Sequence, residues 1–202
     1  MSTSSPRKSP KPAYHHGDLR PSLIQAATEL LEQEGISGLS LRQAARRAGV
    51  SHAAPYRHFP NREALLAAVA AQGYARLGES LRAAARRGSR EMGEAYVRFA
   101  LERPHLYRLM FGGMLKIADH PELRQHALRA YEGLTDAFSA VGGERRAETA
   151  AAAWSLVHGL ASLLLADHFP RAASEGRSTE SFVRAVLGSI RFAVGRAPQS
   201  SA

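Results

Sequence analysis

Residues 40–59, SLRQAARRAGVSHAAPYRHF, restrict the fold of this chain more than any other stretch. Ser40 followed three residues later by Gln43 is a capping box, which starts a helix. Gly49 supplies the stop, because glycine enters the left-handed conformation of a helix C-terminus without strain. Ser51 comes only two residues later and is placed to cap a third helix. Helices joined by so short a turn must cross closely, and Ala44, Ala45 and Ala48 are small enough to let them. Val50 plugs the junction and Phe59 anchors the far end inward. The layout is that of a helix-turn-helix. The plainer alternative is a helical hairpin whose charges are only a solvated face.

The surrounding sequence extends this helical reading. Residues 1–16 are rich in Ser, Pro and basic side chains, and such a segment buries too little apolar surface to order itself. From Asp18 a first helix carries Leu23, Ile24, Ala27, Leu30 and Leu31 on one face and stops at Gly35. Asn61 caps a fourth helix that runs through Leu65, Leu66, Val69 and Leu77 into the eighties. Further helices are expected around Met92, Tyr96 and Phe99, after Pro104, over 121–141 with Leu123, Ala127, Tyr131, Leu134 and Phe138 in register, and over about 144–168 and 179–195. With only 7% aromatic residues and abundant alanine, strands are disfavoured. The fold class is all-α with about nine helices: a basic tail over 1–16, a three-helix domain over 17–77, and a larger helical domain over 78–202.

The formal charge of +9 suits a polyanionic partner, and equally a basic surface that only aids solubility. The N-termini at Ser40, Ser51 and Asn61 offer free N–H groups suited to phosphate, and Arg42, Tyr56, His58 and Arg62 stand close enough in sequence to form a rim. His52, Ala53, Ala54 and Arg57 make a face small enough to approach base edges. There are no cysteines, which removes disulfides, thiolate zinc sites and cysteine nucleophiles. The tail lacks the apolar core of a secretory signal, and the run 150–166 falls short of the roughly 20 residues a membrane span needs. A cytoplasmic protein is therefore expected. Neither a catalytic motif nor a metal-ligating arrangement stands out among the nine scattered histidines, so no enzyme activity, metal or cofactor is expected.

Two quoted stretches carry a resemblance. YHHGDLRPSLIQAATELLEQEGISGLSLRQAARRAGVSHAAPYRHFPNREALLAAVA, about residues 14–70, resembles the N-terminal domain of the TetR family of bacterial transcriptional regulators. RPHLYRLMFGG and AWSLVHGLASLLL are similar to the C-terminal domain of the TetR subgroup named for its Trp, His and Gly. The resemblance implies a homodimeric repressor that holds a palindromic double-stranded DNA operator and is released by a small-molecule effector. By position it implies phosphate contacts from Ser40 and Tyr56, with Arg62 where the family often has lysine, and base reading from the third helix. Pro55 departs from the pattern, which usually has an apolar residue such as leucine there; proline removes one early helical hydrogen bond.

Trp154 and His158 lie four apart and share a helical face beside Gly159. They are either a core pair or the wall of a pocket, with Tyr96, Met110, Phe111, Met114 and Tyr131 as further walls. The last two helices offer Leu160, Leu164, Phe182, Val183, Val186, Leu187 and Ile190 as the seam of a twofold four-helix bundle. A nonspecific DNA-packaging protein and a helical enzyme acting on a small hydrophobic substrate are the competing readings. The first would spread its basic residues over the whole surface, and the second would place paired titratable groups in the C-terminal half.

Overall fold

A computed structural model describes residues 19–138, 146–169 and 176–189. The tail over 1–16, Asp18 and Ile190 lie outside the described residues. Among those residues there are eight α-helices and no strand: α1 Leu19–Glu34, α2 Leu41–Arg47, α3 Arg62–Ala85, α4 Ser89–Glu102, α5 Pro104–Phe111, α6 Pro121–Ala137, α7 Arg146–Leu165 and α8 Thr179–Gly188. Short 3-10 turns lie at Ile36–Gly38, Ala54–Arg57 and Ile117–Asp119.

Local chemistry sets most of these boundaries. The Ser40 hydroxyl accepts from the Gln43 N–H at 3.2 Å and donates to Gln43 Oε1 at 2.7 Å, closing the capping box. At the other end of α2 the Gly49 N–H donates to the Arg46 carbonyl and the Val50 N–H to the Ala45 carbonyl, with Gly49 at φ 71°. This pair of bonds around a left-handed residue satisfies carbonyls that the helix leaves open. Asn61 Oδ1 accepts from the Ala64 N–H at 2.8 Å and opens α3.

The third helix differs from expectation. In place of an α-helix capped by Ser51, the chain forms a 3-10 turn over Ala54–Arg57 that no side chain caps. Pro55 is the reason. An α-helical bond would need a Pro55 N–H to reach the Ser51 carbonyl, and proline has none. That carbonyl instead takes the Ala54 N–H at 3.0 Å, one residue tighter. The Pro55 carbonyl then accepts from both His58 and Phe59, and Pro60 follows at once.

The helices pack around α3. Its first half joins α1 and α2 over Leu23, Leu31, Leu39, Ala44, Phe59 and Leu65. Its second half packs on α4, α5 and α6, and α4 in turn carries α7 and α8. The α7 helix is 20 residues long and, by length and composition alone, sufficient to cross a membrane, which the run 150–166 did not suggest. Its Ala150, Ala153, Val157, Leu160 and Ala161 are buried in the protein core. Polar ties also join α1 to the helices beyond. Arg20 pairs with Glu122, Glu32 Oε1 accepts from the Leu106 N–H at 2.8 Å, and Arg76 donates to Gln25 at 3.1 Å.

Phe59 is 2% exposed and has the Arg20 guanidinium 5.5 Å from its ring centroid. Phe59→Ala is expected to cost about 3 to 5 kcal/mol, as for other buried phenylalanines. Ser40→Ala is expected to cost about 1 kcal/mol through the lost cap. Urea denaturation of the two variants measures both.

Candidate functional site

Two sites emerge, one at each end of α3. At the first, the turn from Ser51 to His58 stands outward: Ser51, His52, Ala53, Tyr56, Arg57 and His58 are exposed, Ala54 is half-buried, and Pro55 and Phe59 point in. The starts of α2 and α3 converge beside it. Ser40, Arg42, Tyr56, Asn61 and Arg62 border one open cleft, with Leu41 and Pro60 as its apolar floor. The cleft therefore gathers two helix N-termini, two guanidinium groups and a phenol, all chemistry that binds phosphate.

Arg62 is less free than the sequence suggests. Its Nε donates to the Leu39 carbonyl at 2.7 Å and its Nη2 donates to the Ile36 carbonyl. The side chain thus holds the loop that presents Ser40, and its remaining N–H groups are the ones open to a partner. Arg47, outside the expected set, is tied to Glu29 and Gln33 on α1. Asn61, whose helix N-terminus was expected to suit phosphate, joins the cleft, and so does Pro60, which was not anticipated.

The second site is a cavity of about 190 Å³ between α3, α4, the end of α5, α6, α7 and α8. Tyr96, Phe111, Tyr131 and Trp154 line it as expected. Met110 does not: it is buried in the core, where its carbonyl accepts from the Tyr74 hydroxyl at 3.1 Å. Met114 lies past the end of α5 and is 55% exposed, so it forms no wall either. Tyr74, Leu77, Leu134 and Leu187 line the cavity without having been anticipated.

His158 stands behind the wall and organises it. Its Nδ1 lies 3.0 Å from the Tyr96 hydroxyl and 2.8 Å from that of Tyr107. The Trp154 indole N–H donates to Tyr96 Oη at 3.2 Å. The two readings of Trp154 and His158 are thus both partly met: one lines the cavity, the other is a hydrogen-bonded residue supporting it. Burial pushes the pKa of Tyr74 up to about 12 and raises those of Tyr96 and Tyr107, so these phenols stay protonated. Burial lowers that of His158, which keeps the imidazole neutral.

The apolar residues of the last two helices are directed differently from a simple seam. Leu160, Phe182, Val183 and Leu187 are buried by their own chain, and Leu187 lines the cavity. Leu164 and Val186 are half-buried. The faces left outward carry Ala151, Ala152, Ser155, Ser162 and Leu163 on α7, and Ser181, Arg184, Ala185 and Gly188 on α8, with Arg184 Nε 3.6 Å from Glu94.

Comparison with known proteins places both halves. A family model described as "Bacterial regulatory proteins, tetR family" matches residues 23–69, and one described as "Tetracyclin repressor-like, C-terminal domain" matches residues 89–186. The HTH-type transcriptional regulator YobS of Bacillus subtilis is 30% identical over 102 residues, 48% of this chain; the chain spans about half of that relative, 52% of its length. A solved structure from Rhodococcus sp. RHA1, of unknown function, is 32% identical with a TM-score of 0.74 and covers 89% of this chain and 96% of its own. The multidrug binding protein EbrR complexed with imidazole is 25% identical with a TM-score of 0.57, over 90% of this chain and 97% of its own.

The neutral imidazole carries a pH dependence. Because folding lowers the pKa of His158 below its ordinary 6.5, the unfolded chain binds more protons than the folded one between those two values. Stability is then full above about 6.5 and is lost as the pH falls toward the lowered value. Thermal unfolding across that range should show the loss, and His158→Asn should flatten it.

Proposed function

Because the chain belongs to the TetR family of bacterial regulatory proteins, we propose that it is a cytoplasmic, homodimeric transcriptional repressor of palindromic operators in double-stranded DNA. A small, mostly apolar effector filling the cavity releases it. The observation that carries this reading is that one helix, α3, borders the phosphate-type cleft with its cap Asn61 and with Arg62, and lines the apolar cavity with Tyr74, Leu77 and Leu81. A ligand that prefers one arrangement of α3 must then change DNA affinity. EbrR, a structural neighbour described as a multidrug binding protein, supports a small-molecule effector. Trp154, His158 and Gly159 in sequence on α7, with Tyr107 on α5, support membership of the subgroup named for Trp, His and Gly.

On the DNA, Arg57 and His52 read bases, Ala53 and Ala54 allow close approach, and Ser40, Arg42, Ser51, Tyr56, His58 and Arg62 hold the backbone. Two copies pair through the small-residue faces of α7 and α8, where Ala152, Ser155, Ala185 and Gly188 permit close helix contact and Leu163 is covered. Twofold symmetry would set the two turns roughly 34 to 36 Å apart, or a multiple of it. Leu187→Glu would disturb the cavity rather than this seam.

Selection of bound duplexes from a random pool tests the reading: a recovered palindrome supports it, and failure to enrich any sequence overturns it. Arg57→Ala should change base preference by about 1 to 3 kcal/mol, whereas Arg42→Ala should weaken all sequences alike and reduce the salt slope by about one. The double variant Leu163→Glu, Ala185→Glu should sediment as a monomer and lose operator binding while keeping its thermal transition.

A further inference from the structure

The cavity is chemically more selective than an apolar hole. An apolar cavity of about 150 Å³ suffices for benzene, so the 190 Å³ here suits one ring or two fused rings. Aromatic faces surround the space: the Trp154 ring centroid lies 5.9 Å from that of Tyr131 and 6.3 Å from that of Phe111. Among the described lining residues there is no carboxylate. Arg90 is the one charged side chain among them, and it is engaged by Glu91 at 3.2 Å and Glu94 at 3.7 Å. A cation entering this space loses its water and meets no opposite charge.

The polar groups of the wall have a definite polarity. A neutral imidazole offers a single lone pair at Nδ1, yet two phenol hydroxyls stand within 3.0 Å of it. Tyr107 is the nearer. When it donates to Nδ1, the Tyr96 hydrogen is left to the Tyr107 oxygen, and an acceptor in the cavity can compete for it. In the other tautomer Nδ1 itself donates, Tyr107 has the His158 carbonyl at 3.4 Å or Ser162 Oγ at 3.5 Å as acceptors, and the Tyr96 hydrogen is again left to the Tyr107 oxygen. Tyr96 Oη meanwhile already accepts from Trp154. Tyr96 lines the cavity, so an acceptor bound there competes for its hydrogen with the Tyr107 oxygen.

We infer that the cavity selects a neutral, planar aromatic molecule of one or two fused rings bearing a hydrogen-bond acceptor, which it seats on the Tyr96 hydroxyl. The inference rests on the proposed effector site and makes its chemistry specific.

Three probes of nearly equal shape test it at neutral pH: naphthalene, quinoline, which adds an uncharged acceptor, and N-methylquinolinium, which replaces it with a fixed charge. Calorimetry gives the affinities, and Trp154, the only tryptophan of the sequence, reports by its emission whether a bound probe is in the cavity. Naphthalene and quinoline should bind and move the emission, and the cation should bind roughly tenfold or more weakly than quinoline. The preference for quinoline relative to naphthalene should fall roughly three- to tenfold in Tyr96→Phe, as for one lost hydrogen bond. Tyr107→Phe should lower it too, since Nδ1 then captures the Tyr96 hydrogen. A cation that binds as well as quinoline overturns the neutral-ligand inference and leaves the effector site standing. A preference unchanged in both variants overturns the role of Tyr96. If no probe binds and Trp154 emission does not move, both the inference and the effector site fail.

Discussion

Close helix approach is the constraint on which the rest of this architecture depends. A Cβ placed on Gly73 of α3 would lie 2.6 Å from Met110 Sδ and 3.0 Å from a Leu106 methyl, and one on Gly93 of α4 would lie 3.2 Å from Leu187 and 3.3 Å from Val157. The missing side chains let α5 sit down on α3, and α7 and α8 on α4. Alanine does the same on α3, where Ala67, Ala68, Ala70 and Ala71 are all buried. Small residues at the crossings leave the large aromatics to meet elsewhere, and where they meet without filling the space the cavity forms. A protein interior is otherwise packed to crystal density, so a space of this size is a product of where bulk has been withheld.

Inside that apolar shell the hydrogen-bonded group of Trp154, Tyr96, His158, Tyr107 and Ser162 fixes side-chain positions that packing alone would leave free. Such networks are stabilising when every member finds a partner and costly when one does not. Here two phenols share the single Nδ1 position of His158, and of the two it is Tyr96 that lines the cavity.

Much of the head was legible in the sequence because its determinants are local. The Ser40 cap, the Gly49 stop and the Asn61 cap each act within four residues. The one departure, the 3-10 turn, also had a local cause, since Pro55 stands four residues after Ser51 and denies it an α-helical bond. The cavity was legible only in part. Phe111, Tyr131 and Trp154 advertise themselves as large aromatics on apolar faces, whereas the role of Tyr107 depends on a partner 51 residues away. Met110 and Met114 show the limit of counting along a helix: α5 ends at Phe111, so one methionine turns inward and the other is left outside. Phe182 and Leu187 show another, because an apolar stripe states that it must be covered and not by which neighbour.

The unbroken run of α3 from Arg62 to Ala85 has a metrical consequence. At 1.5 Å per residue its 24 residues span about 36 Å. If the end near Ala85 stays in place, a tilt of only about 5° displaces the Arg62 end by roughly 3 Å, close to the 3.4 Å rise between successive nucleotides of a DNA strand. A change too small to unpack the cavity wall is thus large enough, at the opposite end of the same rod, to shift the turn that bears Arg57 by nearly that distance.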